Sequence, residues 1–154
     1  MHFEMAFLPA SIVGALGAYW DLKERRLPNW LCAVFGLSAV AGLVASQGFI
    51  PLQSSALHAL LALVVGMLLF KIGMIGGGDA KFYAAGALGL PINMALPFLG
   101  WTSAAGLVLF MFMFVARRIA HAPGGALRGW SLPYGVAIFF GFLAATQLSL
   151  IRPI

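Results

Sequence analysis

The chain has 154 residues, of which 62% are hydrophobic and only 8% charged, with nine Lys/Arg against four Asp/Glu and a formal net charge of +5. An ordinary soluble domain carries about 25% charged residues, so this composition excludes a soluble globule, and its apolar excess excludes a disordered chain. One cysteine, Cys32, and three scattered histidines, His2, His58 and His121, exclude a disulfide framework and a multi-ligand metal site, so neither a metal nor a cofactor is expected.

The first uncharged run, Met5–Trp20, reads as one short membrane span, and Glu4 in place of a basic leading segment argues against a cleavable signal peptide. Leu27–Phe70 is too long for one crossing, and its polar, turn-rich middle from Ser46 to Ser55 divides it into two helices. Phe82–Ala116 is interrupted by Pro91-Ile92-Asn93 and Pro97 and again reads as two spans, the first unusually short. Gly129–Ile151 supplies a last one. The expectation is an all-α, polytopic, single-domain membrane bundle over residues 1–154, with spans near 3–20, 29–45, 56–73, 80–93, 97–116 and 133–151.

Charge orients this bundle. Lys23, Arg25 and Arg26 follow the first span, Lys71 and Lys81 flank the turn between the third and fourth, and Arg117, Arg118 and Arg128 lie between the fifth and sixth. The opposite loops hold no Lys or Arg, so the basic loops are expected in the cytoplasm and both termini outside. Cations confined to such loops are topogenic and do not build a phosphate-binding face, and no nucleic-acid partner is expected. Trp20, Trp30 and Trp130 fall at the cytoplasmic ends of spans and Trp101 near the other boundary, where interfacial anchors belong.

Only four carboxylates remain to carry chemistry. Glu4 and Glu24 read as solvated, whereas Asp21 ends the first span and Asp79 closes Gly76-Gly77-Gly78 directly before the fourth. Both belong to the same membrane face, so the topology lets them meet. Asp79 can also serve as a helix N-cap, and Asp21 as a boundary residue paired with Lys23 or Arg25. Three consecutive glycines allow positive φ and close approach of another segment. Two carboxyls around one water cannot both ionise cheaply, so one holds a proton while the other accepts one, which is the arrangement that activates water at an amide. Lys23 and Lys81, each two residues after an Asp, are either interfacial cations or groups that tune the pair.

Gly76-Gly77-Gly78-Asp79-Ala80-Lys81 resembles the GxGD motif of the type IV prepilin peptidases, a family of intramembrane aspartyl proteases. The run from Asp21 through Leu27-Pro28-Asn29 resembles the segment in which the family's first catalytic Asp ends one helix and a Leu-Pro-Asn element opens the next. Leu132-Pro133-Tyr134-Gly135 resembles the start of its last helix. The resemblance implies Asp21 and Asp79 as the catalytic dyad, Gly76 and Gly78 as the flexible approach with Gly77 at the variable position, and Pro133, Tyr134 and Gly135 as shaping residues. It also implies prepilin or pseudopilin substrates carrying a short basic leader, cut after Gly and before a hydrophobic stretch, in a bacterial inner membrane.

The larger family members carry paired Cys-x-x-Cys motifs in a zinc-binding insertion that accompanies N-methylation. Cys32 alone cannot supply one, so a peptidase without methyltransferase is expected, similar in length to the tight-adherence (Flp pilus) enzymes. A lipoprotein signal peptidase, also an aspartyl enzyme, belongs on the outer face and conflicts with the charge asymmetry. A transporter, in which the two Asp bind a proton or cation, and a non-catalytic scaffold of a pilus or secretion machine are the remaining readings.

Overall fold

The computed structural model describes residues 3–119 and 132–151. His2, His121, Arg128 and Trp130 lie outside the described residues. Among the described residues every regular element is helical: α1 (Phe3–Ala6), α2 (Leu8–Glu24), α3 (Asn29–Gln47), α4 (Leu52–Lys71), α5 (Gly77–Ala87), a 3-10 turn (Ile92–Met94), α6 (Ala95–Ile119) and α7 (Tyr134–Ile151). Three segments, Asn29–Gln47, Leu52–Lys71 and Ile92–Ala116, are long and apolar enough to cross a membrane unaided. The chain is the all-helical bundle that its composition requires.

The boundaries follow local chemistry. α2 ends at Arg25, whose φ of 54° is the single positive value at a non-glycine residue among those described, a conformation that costs an L-residue roughly 1–2 kcal/mol. Pro28 then sets the extended backbone that precedes α3. α4 ends on Gly73 at φ +76°, where the Gly73 amide donates to the Phe70 carbonyl and the Met74 amide to that of Leu69. That paired closure of the last carbonyls needs a left-handed residue, and glycine takes that shape without a Cβ clash.

Two elements depart from expectation. The short fourth span, expected over 80–93, begins at Gly77 and ends at Ala87, because Gly89 and Pro91 interrupt it before the 3-10 turn. Pro97 does not mark a boundary: α6 begins at Ala95, so the proline falls in the first turn, where amides have no intrahelical acceptor to lose. At its far end α6 runs on to Ile119.

α5 is the centre of the bundle, packed against α3, α4 and α7, while α2 lies on α3 and α7, and α6 on α7. Its alanines and glycines allow this, since Ala80, Ala84, Ala85, Gly86 and Ala87 are all buried. Gly66 of α4 faces Ala80 so closely that a Cβ there would lie 2.8 Å from the Ala80 Cβ, and Gly17 of α2 lies under the Phe82 ring. Small residues let helix backbones approach where lipid gives no hydrophobic drive to association. Around α5 the fully buried rings interlock: Phe35 stacks on Phe82 with centroids 4.7 Å apart and meets Phe142 edge-on at 5.1 Å. Cys32 is a buried core residue.

His58, in the second turn of α4, is buried. Its Nδ1 donates to the Leu90 carbonyl at 2.9 Å, and the Ile92 amide donates to Ser54 Oγ at 3.0 Å. The first turns of α4 thereby hold the segment that follows α5.

At the α6–α7 crossing Gly141 lies directly against Thr102, whose hydroxyl has no hydrogen-bond partner among the described residues. Gly141→Val should therefore lower the melting temperature in detergent by several degrees, as overpacking costs about 1–3 kcal/mol. Gly100→Ala, with nothing within 4 Å of the added carbon, should leave it unchanged. Equal melting of the two variants would contradict the close crossing.

Candidate active site

Asp21 stands in the last turn of α2 and Asp79 in the first turn of α5, both past the ends of their apolar runs. Asp21 is buried, and its Oδ2 accepts the Gly135 amide at 2.8 Å. Gly135 is the second residue of α7. Its amide is one of those that a helix start leaves without an internal acceptor, at the positive end of the helix dipole. The residue must be glycine for this approach, since a Cβ would lie 2.9 Å from the Asp21 Cβ and 3.0 Å from its Oδ2. Pro133 and Tyr134 set α7 running from this point, Pro133 fully buried and Tyr134 on the cavity wall.

Asp79 is not the N-cap of α5. That position belongs to Gly76, whose amide donates to Asp79 Oδ2 at 3.2 Å, so the carboxylate reaches back from the third helical position. The glycine run is not used for positive φ either: Gly76 has φ −74°, and Gly48 and Gly73 are the positive-φ glycines among the described residues. Space is the reason. A Cβ on Gly76 would lie 2.6 Å from Asp79 Oδ2, and one on Gly78 would lie 3.3 Å from the Leu27 Cβ and 3.4 Å from its carbonyl oxygen. The start of α5 thus rests on the strand of backbone that follows α2, which brings the two carboxylates to one place. A Cβ on Gly77 would meet the Phe70 ring at an ordinary 3.4 Å.

Asp21 and Asp79 line a single cavity of about 690 Å³, together with Arg25, Arg26, Leu27 and the segment Gly73–Gly78. A second, apolar cavity of about 480 Å³ begins at Asp79 and runs between α4, α5, α6 and α7. Burial, and then the charge of Asp21, push the Asp79 carboxyl up to about 6 against the opposing Gly76 amide. Burial also raises Asp21, but the Gly135 amide and the Arg25 guanidinium hold its ionised form. The environments therefore push the pair apart, with the proton favoured on Asp79.

The lysines face elsewhere. Lys23 pairs loosely with Glu24 at 3.9 Å in solvent, and Lys81 donates to Asn29 Oδ1 at 3.0 Å, bridging α5 to the first residue of α3. Neither lines the cavity. Arg25, one of the two partners that its sequence position offers Asp21, does, and so does Arg26, which reads in the sequence as topogenic charge.

The profile of the type IV leader peptidase family matches residues 8–111, a stretch that holds both aspartates and all three glycines. The chain belongs to the type IV leader peptidase family. No curated protein and no solved structure matches it. The matched stretch stops short of Pro133-Tyr134-Gly135, of which Gly135 bonds Asp21.

The glycine geometry of the leader peptidase is directly testable. Gly76→Ala and Gly135→Ala each place a carbon against a carboxylate oxygen and should lower kcat/KM for leader cleavage at least tenfold. Gly77→Ala, which adds only an ordinary contact with Phe70, should cleave within about twofold of the parent. Equal loss at all three positions would show that crowding of the carboxylates is not the cause.

Proposed function

We propose that the chain is an aspartic endopeptidase of the bacterial inner membrane, which removes the short basic leader from type IV or Flp-type prepilins by activating water between Asp21 and Asp79. The observation that carries this reading is that two carboxylates remote in sequence line one cavity, inside the stretch that matches a leader peptidase family. The contrast in their surroundings supports a division of roles. Asp21, held ionised by the Gly135 amide and Arg25, is the base that takes a proton from the attacking water. Asp79, protonated, donates to the carbonyl oxygen of the scissile amide. The proton gained by Asp21 then passes to the leaving amine as the C–N bond breaks, while a hydroxyl of the gem-diol returns its proton to Asp79 as the carboxyl product forms, so Asp21 is again ionised and Asp79 again protonated.

Charge supports the orientation. The cavity lies at the end of the bundle where α2, α4 and α6 finish and α5 and α7 begin, which is the end that carries Lys23, Arg25, Arg26, Lys71 and Lys81. The positive-inside rule puts that end in the cytoplasm, with six crossings and both termini outside. With Cys32 as its one cysteine, the chain has no thiol set for a zinc-supported insertion, and the reading is of a peptidase without methyltransferase activity. A transporter places its carboxylates near mid-membrane on broken helices, whereas these stand at the end of the bundle beside a glycine run.

The dyad predicts a specific pattern of loss. Asp21→Asn and Asp79→Asn should each reduce leader cleavage by at least the roughly 10²–10⁴ of acid–base catalysis. The double variant should be no worse than either, because the groups act as one unit. Mobility of a co-expressed small prepilin reports cleavage, and immunoblotting of membranes should find all variants at parental levels. Substantial cleavage by either single variant would exclude the dyad, whereas loss of a variant from the membrane would favour a structural role for that aspartate.

A pH profile tests the roles. Activity requires Asp79 protonated, so kcat/KM should fall as pH rises through about 6, the value to which its carboxyl is pushed. At lower pH it should fall again as Asp21 takes up a proton. Removing the Arg25 charge by Arg25→Gln destabilises the Asp21 carboxylate, so this acid limb should move to higher pH while the alkaline limb stays in place. An alkaline limb that moves with it would reverse the assignment of acid and base.

A further inference from the structure

The polar and apolar cavities meet at a boundary, and Asp79 stands in it. Four other residues line both: Ile75 from the turn between α4 and α5, Phe110 from α6, and Leu132 and Tyr134 at the start of α7. Phe110 and Tyr134 are carried by helices, whereas Ile75 belongs to the turn alone, between Gly73 and Gly76. Its apolar neighbours in that turn face solvent, Ile72 at 68% and Met74 at 63% exposure, while Ile75 is half-buried. The turn itself closes through the amides of Ile72, Gly73 and Met74, so it makes no demand on the side chain at 75. The inward place of Ile75 is therefore a feature of the boundary.

We propose that Ile75 is a positioning residue of the peptidase, closing the boundary between the two cavities so that water meets Asp79 from the polar side alone. The proposal rests on the peptidase reading. Consecutive residues then act on one carboxyl in opposite ways. The Gly76 amide, donating to Asp79 Oδ2 at 3.2 Å, favours the ionised form, and Ile75, by excluding water, favours the neutral one. A closure is needed because the apolar cavity is not without polar groups. Thr102, whose hydroxyl has no hydrogen-bond partner among the described residues, lines it together with Ser103. A buried water stays where it finds two or more such partners, so water admitted past Ile75 would remain and hydrate Asp79 from its second side. The titratable groups around Asp79 are Asp21, Arg25 and Arg26 from the end of α2, Tyr134 from α7, Tyr83 on its own helix and, farther off, Cys32 on α3. A substitution at Ile75 changes the charge of none of them, so its effect on Asp79 is one of hydration.

A carboxyl-selective label tests this apart from catalysis. Dicyclohexylcarbodiimide is apolar and reacts with a protonated carboxyl, so the pH at which labelling of the purified full chain falls to half reports the titration of Asp79. Trypsin releases residues 72–81, in which Asp79 is the only carboxylate, and mass spectrometry reads the adduct there. Ile75→Ser should move the half-labelling pH down by about one unit. The alkaline limb of kcat/KM should move down with it while the acid limb, set by Asp21, stays. Ile75→Val should leave both as in the parent. Ile75→Thr, which has the shape of valine with a hydroxyl, should move them the same way as serine by a smaller amount, and the Thr and Val pair decides the matter if Ile75→Ser does not fold. Met74→Ser, one residue away and facing solvent, should change nothing. A half-labelling pH that stays put in Ile75→Ser and Ile75→Thr, or that Met74→Ser moves equally, overturns the proposal. A half-labelling pH that moves while the alkaline limb stays would instead defeat the acid role given to Asp79 and leave the closure by Ile75 standing.

Discussion

The hydrogen bond from the Gly135 amide to the Asp21 carboxylate joins the first long helix of the chain to the last. It forms because α7 starts at this point, and the start of a helix presents amides that no residue of that helix can satisfy. A carboxylate is a strong acceptor for such a group, and here it is buried, so losing the bond would strand a donor and an ion together. The rest of the site follows from where this bond holds α2. Leu27 leaves that helix at a fixed height, Gly78 rests on Leu27, and Asp79 is one residue further along.

Much of this was legible in the sequence, for a simple reason. When 8% of the residues are charged, each carboxylate must justify its desolvation, and Asp21 and Asp79 stand out against their apolar surroundings. Helix number and order follow from the same scarcity of charge. The departures have equally local causes. Gly89 and Pro91 shorten α5, a break that periodicity does not report because the flanking residues are apolar throughout. His58 is buried because the carbonyl of Leu90 needs a donor, and that need arises only once α4 and α5 are packed. The glycines were correctly conspicuous but for one of two expected reasons: they supply clearance, and a sequence does not say whose atoms need it.

The charged neighbours of the two aspartates were the least legible part. Lys23 and Lys81 sit at the same offset from the two aspartates, yet one reaches Glu24 and the other Asn29. A side chain with four rotatable bonds takes the nearest acceptor that geometry offers, and sequence offset fixes only the position of its Cα. Arg25 reaches the polar cavity because α2 ends on it in a left-handed turn. Beyond that turn Arg26 and Leu27 line the same cavity as Asp21.

The brevity of α5 has a consequence for the membrane around it. Eleven residues rise about 16 Å, roughly half of a hydrocarbon core of about 30 Å. The helix at the centre of the bundle is therefore the one least matched to bilayer thickness, while its outer neighbours α4 and α6 are long. Lipids at the perimeter set the height of the long helices, and the core follows them through packed side chains. A thicker bilayer would strain this arrangement at fractions of a kcal/mol for each ångström of mismatch. Acyl-chain length thereby becomes a variable that acts on the position of Asp79 relative to water, with no lipid touching the carboxylate.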